Sequence, residues 1–202
     1  MLKRTLDLSV AATMLVVASP LLLVLTIAAR LDGGQAMFRQ ERVGKGGERF
    51  RIHKFRTMRE ADGVRRPGSA GPAVTSDTDA RITRLGRVLR ATKLDELPQL
   101  LDVLAGDMSL VGPRPEVPKY VECWPPEARE RILSVRPGIT DPASIAYRRE
   151  SAELALAADP ESHYLDVVLP RKVEMYLAYV ESRSFAGDLR ILTQTVRAVL
   201  TG

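Results

Sequence analysis

An acidic pair lies within the arginine-rich part of this 202-residue sequence. Asp95 and Glu96 are followed by leucines at helical spacing, so a helix is predicted to begin close behind them. Thr92 has an acid three residues further on, as in a capping box, and Pro98 fits a first-turn position. A carboxylate at a helix N-terminus stays anionic, and the same place suits a metal-bridged phosphate. The pattern therefore predicts phosphate chemistry at Asp95 and Glu96.

Two loops each hold an arginine in stiff backbone. Arg114 lies between two prolines in residues 112–115, and Arg136 precedes the Pro-Gly turn of residues 135–140. A restrained backbone lowers the entropic cost of presenting a guanidinium, whose planar fork suits phosphate. Either loop alone is more often a turn with a surface arginine. Together with the acidic pair and a basic hairpin, the two loops favour an anion-binding site.

The elements that would position these residues indicate an α+β, mostly helical fold. Residues 36–58 are predicted to form a small β-hairpin, with a glycine turn at 44–47. Residues 62–79 are predicted to be a polar loop. Amphipathic helices are predicted near residues 81–90, 126–134, 170–182 and 187–200. The last two either cap the core or lie on a membrane surface.

The N-terminal segment is apolar. Residues 8–29 carry no charge and would form a helix about 33 Å long, enough to cross a bilayer. Ser19-Pro20 lies near its middle, where proline disfavours a straight helix. Basic residues flank both ends, and the positive-inside rule places both flanks in the cytoplasm. A re-entrant helix broken at Ser19-Pro20 satisfies both flanks, whereas a proline-kinked span is the common alternative, and the residues leave both open.

Composition and charge restrict the partners. The net charge is +5, with the excess of Lys and Arg in residues 1–114, which predicts membrane lipid, nucleotide phosphates or nucleic acid as partners. Aromatic residues are only 5%, and the acidic pair would weaken polyanion binding, so nucleic acid is disfavoured. A membrane-tethered basic module without catalysis is the alternative function. The single cysteine, Cys123, fits a reducing compartment, and the two histidines stand too far apart for a zinc site.

Four segments carry a resemblance to a known family: 54–58 (KFRTM), 94–100 (LDELPQL), 106–115 (GDMSLVGPRP) and 135–140 (VRPGIT). Over nearly the whole chain the sequence resembles the bacterial sugar transferases, the monotopic phosphoglycosyl transferases, in a minimal catalytic form. The resemblance implies a re-entrant helix of residues 1–30, broken at Ser19-Pro20. It also implies a catalytic domain of residues 31–202 on the cytoplasmic face of the inner membrane, with a homodimer possible.

The family resemblance also implies a reaction. Asp95 would attack the β-phosphate of a UDP-sugar, releasing UMP, and polyprenyl phosphate would then take the phosphosugar from Asp95. Glu96 would assist as a base or, with Asp95, as a ligand of Mg²⁺. The implied phosphate or nucleotide contacts are Lys54, Arg56, Arg90, Arg114, Arg148 and, more weakly, Arg136. The loop at 141–149 departs from the pattern of many relatives, so it does not specify the sugar.

Overall fold

The computed structural model describes residues 2–32, 34–59 and 79–201. The first helix, α1, runs from Leu2 to Leu31 as one element with Pro20 inside it. We predicted a re-entrant helix broken at Ser19-Pro20, with a proline-kinked span as the alternative, and in the structure both residues lie within α1 without a gap between two helices. The Ser19 hydroxyl donates a 2.7 Å hydrogen bond to the Val16 carbonyl, which is the group that Pro20, lacking an N–H, leaves unpaired. A satisfied carbonyl explains why the helix continues through the proline.

The predicted hairpin is confirmed. Strand β1 (Met37–Val43) pairs antiparallel with β2 (Arg49–Phe55), and a short 3₁₀ turn, Lys45–Gly47, joins them. Gly46 has a φ of 70°, a conformation that glycine adopts at no steric cost. The glycine turn was therefore a reliable signal in the sequence.

A second sheet was not predicted. Strand β3 (Ser109–Val111) pairs parallel with β4 (Gly138–Thr140), and the Gly138 amide donates to the Pro113 carbonyl (2.9 Å), so the segments that hold Arg114 and Arg136 lie side by side. The backbones touch there, because a Cβ on Gly138 would lie 2.1 Å from the amide nitrogen of Gly112. Glycine at this contact allows the close approach of the two loops.

The remaining elements are helices, and those predicted from periodicity are confirmed with small shifts at their ends. Two helices flank the acidic pair: α2 (Arg84–Thr92) and α3 (Gln99–Ala105). The others are α4 (Pro118–Val121), α5 (Pro126–Leu133), α6 (Pro142–Ala146), α7 (Glu150–Ala155), α8 (Pro160–His163), a π-helical turn (Tyr164–Val168), α9 (Leu169–Ser182) and α10 (Phe185–Leu200). The loop predicted at 62–79 lies outside the described residues, except for its last residue.

The two C-terminal helices differ in burial. Helix α9 buries Tyr176 and Val173 in the largest hydrophobic cluster, so it packs on the core. Helix α10 buries Ile191 but leaves Leu189, Val196 and Val199 exposed. An amphipathic helix with exposed apolar residues fits the membrane-surface alternative for α10.

Both ends of α1 contact the rest of the protein. Near its start, Asp7 is buried and accepts hydrogen bonds from the Ser109 hydroxyl (2.8 Å) and the Leu110 amide (3.2 Å) of β3. Near its end, Leu25 packs against Phe55 and Leu89. The middle is open to solvent, with Val16, Val17, Leu23 and Val24 all more than half exposed. Within the described residues, α1 is the one helix whose length and composition would let it cross a membrane.

Candidate active site

The acidic pair lies in a short 3₁₀ turn between α2 and α3. Helix α2 ends at Thr92, Lys93 takes the left-handed conformation (φ 58°, ψ 14°), and the turn spans Leu94–Glu96. The position of the pair just before a helix N-terminus is confirmed. The capping box was wrong, because Thr92 is the last residue of α2 and its hydroxyl donates to the Val88 carbonyl. Pro98 stands at the N-cap of α3, one residue before the first turn.

Asp95 is a buried carboxylate with one engaged and one unpaired oxygen. Its Oδ2 pairs with the Lys54 ammonium at 2.7 Å, and only 1% of the residue is exposed. Its Oδ1 is also buried but has no hydrogen-bond partner among the described residues. A buried carboxylate oxygen without a partner is costly, unless a substrate or cation satisfies it during function.

Glu96 is fully engaged by cations. Arg114 binds it through both guanidinium nitrogens, with Nη1 at 3.1 Å from Oε2 and Nη2 close to Oε1, and Lys54 lies 3.3 Å from Oε1. Burial alone would raise the pKa of Glu96, but attraction to Arg114, and then to Lys54, outweighs it. The pKa of Glu96 is therefore held far below its usual value, while the same contact raises the pKa of Arg114. Glu96 is an anion at neutral pH.

This lowered pKa predicts how stability depends on pH. A carboxylate whose pKa is depressed on folding adds stability above its unfolded pKa, about 4.3, and loses it as the pH falls towards the folded value. We expect the difference in thermal stability between wild type and Glu96→Gln to be constant from about pH 8 to 5 and to shrink below about pH 4. Thermal unfolding in detergent across this range measures it. A difference that already shrinks between pH 7 and 5 would contradict the assignment.

Lys54 and Arg114 are positioned by contacts that the sequence did not reveal. Asp102 of α3 accepts from the backbone amide of His53 (2.9 Å) and pairs with its ring Nδ1 (2.5 Å), which fixes β2 beside the acidic turn. On the other side, Arg42 Nη1 donates to the Pro115 carbonyl at 3.0 Å. Neither contact follows from spacing, because the partners are far apart in the sequence.

Glu116 anchors the loop that carries Arg114. It is 5% exposed, its backbone carbonyl accepts from the Val43 amide, and its carboxylate accepts from the Tyr164 hydroxyl (2.7 Å) and the Lys172 ammonium (3.3 Å). Burial alone would raise the pKa of Glu116, but the positive charges of Lys172 and Arg42 outweigh this effect, so the pKa of Glu116 lies below its usual value. The only sequence signal was that Glu116 directly follows the Pro-Arg-Pro segment.

The other predicted cations divide into two groups. Arg56, Arg90 and Arg148 line the same groove as Asp95 and Glu96. Arg56 donates to the Ala29 carbonyl (3.1 Å) and Arg90 to the Ser151 hydroxyl (3.4 Å). Arg136 does not line this groove, and its exposed Nε donates to the Gly106 carbonyl at 2.7 Å. The structure therefore gives Arg136 a backbone-bracing contact.

This placement predicts a small effect for Arg136. We expect Arg136→Ala to leave kcat/KM within about threefold of wild type and to lower stability by at most about 1 kcal/mol, because it removes one exposed hydrogen bond. Steady-state kinetics and thermal unfolding check this. A 100-fold loss of kcat/KM with a normal melting temperature would show that Arg136 contacts the substrate.

The donor set fits magnesium only together with substrate phosphates. Among the described residues no group of three or more His, Cys, Asp and Glu side chains is placed to hold a metal. Magnesium binds through one or two carboxylates plus phosphate oxygens, and it keeps several waters. Asp95 and Glu96 would be those carboxylates, and the unpaired Asp95 Oδ1 is a buried oxygen that a cation would satisfy.

The model of the family described as bacterial sugar transferase matches residues 1–202. The chain belongs to this family. The resemblance seen in the four sequence motifs is confirmed, and the bacterial sugar transferase match extends over α1 as well as the domain that holds Asp95.

Individual bacterial sugar transferases show the same relationship. The chain is 38% identical over 205 residues to the UDP-glucose:undecaprenyl-phosphate glucose-1-phosphate transferase of Caulobacter vibrioides, covering 98% of this chain and 70% of the relative. It is 36% identical over 204 residues to the UDP-N-acetylgalactosamine-undecaprenyl-phosphate N-acetylgalactosaminephosphotransferase of Aeromonas hydrophila, covering 100% of this chain and 44% of the relative. It is 36% identical to the exopolysaccharide production protein ExoY of Sinorhizobium fredii, covering 98% of this chain and 84% of the relative. The chain therefore spans less than half of the Aeromonas protein and most of the other two.

Proposed function

We propose that this protein transfers a sugar 1-phosphate from a UDP-sugar to polyprenyl phosphate and releases UMP. The observation that carries the proposal is the buried Asp95, with one oxygen unpaired and the other held by Lys54. Relatives named for this type of reaction, with undecaprenyl phosphate as the acceptor, support it. Their names include glucose and N-acetylgalactosamine, so the sugar used by this chain is a matter for experiment.

In the first step Asp95 Oδ1 attacks the β-phosphorus of the UDP-sugar. The bond from this phosphorus to the bridging oxygen breaks, and UMP leaves with that oxygen and the electron pair. Lys54 holds the other carboxylate oxygen, so the attacking oxygen is directed rather than free to rotate. Arg114 and Lys54 neutralise phosphate charge, which would otherwise repel a carboxylate nucleophile.

In the second step an oxygen of polyprenyl phosphate attacks the same phosphorus. The acyl-phosphate bond to Asp95 breaks, a diphosphate-linked sugar forms on the lipid, and the Asp95 carboxylate is regenerated. Glu96 keeps Lys54 and Arg114 in place through both steps. Mg²⁺ bound by Asp95, Glu96 and the substrate phosphates would add positive charge at the same place.

We also propose that α1 is re-entrant and that the protein lies on the cytoplasmic face of the inner membrane. Lys3 donates to the Val111 carbonyl (3.0 Å) and pairs with Asp188 (2.6 Å), while at the other end Arg56 donates to the Ala29 carbonyl. Because one domain contacts both ends of the apolar helix, both ends belong on the side of the membrane where that domain lies. A straight span would separate them.

Cysteine labelling tests this topology. In a Cys123→Ser background, we expect Leu2→Cys and Leu31→Cys, both at exposed positions, to react with a membrane-impermeant maleimide only in inside-out vesicles. Val16→Cys, 75% exposed in the middle of α1, should be shielded by lipid in either orientation. Labelling of the two end positions from opposite sides would show a true span.

The reaction itself is tested by UMP release. Purified protein in detergent, with magnesium, polyprenyl phosphate and a panel of UDP-sugars, should release UMP with at least one donor and form a lipid-linked diphosphate sugar. A basic binding module would bind anionic vesicles and release no UMP. Vesicle binding without UMP from any donor would favour that alternative.

A further inference from the structure

Lys93 has an unusual backbone. Within the described part of the chain it is the one non-glycine residue with a positive φ, 58°. This conformation costs free energy for any residue with a Cβ, and helices that end in it mostly use glycine there. The turn requires it, because the Lys93 carbonyl accepts from the Glu96 amide at 3.2 Å. The sequence therefore places a lysine where the backbone favours glycine, and such strain is found most often at functional sites.

The Lys93 side chain shares the groove of the acidic pair. It lines the same groove as Asp95 and Glu96, and it is solvent-accessible. Lys93 directly precedes the Leu94–Glu96 turn, so its side chain begins next to the acidic pair.

The ion pairs of the site leave the Lys93 ammonium available to bind an anionic ligand. Lys54 is paired with Asp95 and Glu96, and Arg114 is paired with Glu96. No ion pair of Lys93 is found in the ranges that the structure covers, so this group has three cations against two carboxylates. An incoming phosphate can bind Lys93 without breaking an existing pair, and the surplus positive charge attracts it.

We propose that Lys93 binds a phosphate of the nucleotide diphosphate, as a third cation beside Lys54 and Arg114. The inference rests on the proposed function, since it concerns the donor of that reaction. The donor is favoured over the lipid because it brings two adjacent phosphates to Asp95, where Lys54 and Arg114 divide their charge between phosphate and the carboxylates that they contact. Notably, neither composition nor motif spacing singled out this residue.

Three variants separate the side chain from the backbone. Lys93→Gln and Lys93→Arg keep a Cβ in the left-handed conformation, and they differ in charge; Lys93→Gly removes the amine and relieves the backbone. We expect Gln and Gly to lower kcat/KM for the UDP-sugar by about 10- to 100-fold, and Arg to stay within about threefold of wild type. All three variants should have melting temperatures within a few degrees of wild type, and the glycine variant should adopt the left-handed conformation most easily. Wild-type kinetics in Gln or Gly, or an equal loss in Arg, would overturn the proposal.

A binding measurement keeps this test separate from the proposed function. Calorimetric titration with UDP requires no turnover, and Lys93→Gln should bind UDP about tenfold more weakly than Lys93→Arg. If this difference is seen while wild type releases no UMP, the proposed function fails and the Lys93 site stands. If wild type turns over and Gln and Arg bind UDP equally, the Lys93 site fails and the function stands. A defect confined to transfer onto polyprenyl phosphate would assign Lys93 to the lipid instead and overturn the donor assignment.

Discussion

Asp95→Asn is expected to abolish UMP release, with turnover falling by at least about 10⁴-fold, because an amide cannot form the phosphosugar bond. The loss should be in kcat rather than in folding. Asn has the same shape, and Lys54 keeps its contact with Glu96. UMP release by the purified variant, with magnesium, donor and acceptor present, measures the effect.

Asp107→Asn is a matched control for this variant. Asp107 is exposed and does not line the groove of Asp95, so the same chemical change there should leave turnover within about twofold of wild type. Turnover of Asp95→Asn above one-tenth of the wild-type rate would mean that another group is the nucleophile.

Arg114→Met should give the second largest effect. It removes both guanidinium contacts to Glu96 and a cation from the phosphate site, so we expect kcat/KM to fall by at least about 100-fold. It should also destabilise the protein by about 2 kcal/mol, less than for a fully buried pair, because Lys54 still partners Glu96. Arg114→Lys should recover stability better than activity, since lysine restores the charge but not the bidentate fork.

A surface pair provides the control. Arg131 pairs with Glu181, and both side chains are about half exposed, so Arg131→Met should change stability by less than about 1 kcal/mol and leave kinetics unchanged. Steady-state kinetics and thermal unfolding of Arg114→Met and Arg131→Met, measured side by side, test these expectations. An Arg114→Met enzyme with wild-type kcat/KM would remove Arg114 from the phosphate site.

The parts of this structure that the sequence could predict are those set by local pattern. Periodic leucines identified α3, and the glycine turn identified the hairpin of β1 and β2, because each depends on neighbours in the chain. The position of Asp95 before a helix was predictable for the same reason. The capping box at Thr92 failed because the preceding helix extends to that residue, and its hydroxyl back-bonds to Val88.

The parts that could not be predicted depend on contacts between distant residues. Lys54 pairs with Asp95, and Asp7 accepts a hydrogen bond from Ser109 of β3. Each contact joins segments that lie far apart in the sequence. The parallel pairing of β3 with β4 is a further case, since each strand is three residues long and carries little pattern of its own. For Arg136 the sequence motif indicated a phosphate contact, and the structure adds a hydrogen bond to the Gly106 carbonyl that the motif did not reveal.

The central claim is that Asp95 carries the phosphosugar between the two half-reactions, and the most direct measurement is the mass of the intact protein during turnover. Incubated with magnesium and a UDP-sugar that supports turnover, but without polyprenyl phosphate, the protein should gain the mass of one sugar phosphate. Peptide mapping should place this mass on Asp95, and adding polyprenyl phosphate should discharge it. A protein that forms lipid-linked product at the wild-type rate, yet shows no adduct when quenched within the first turnover, would contradict the account.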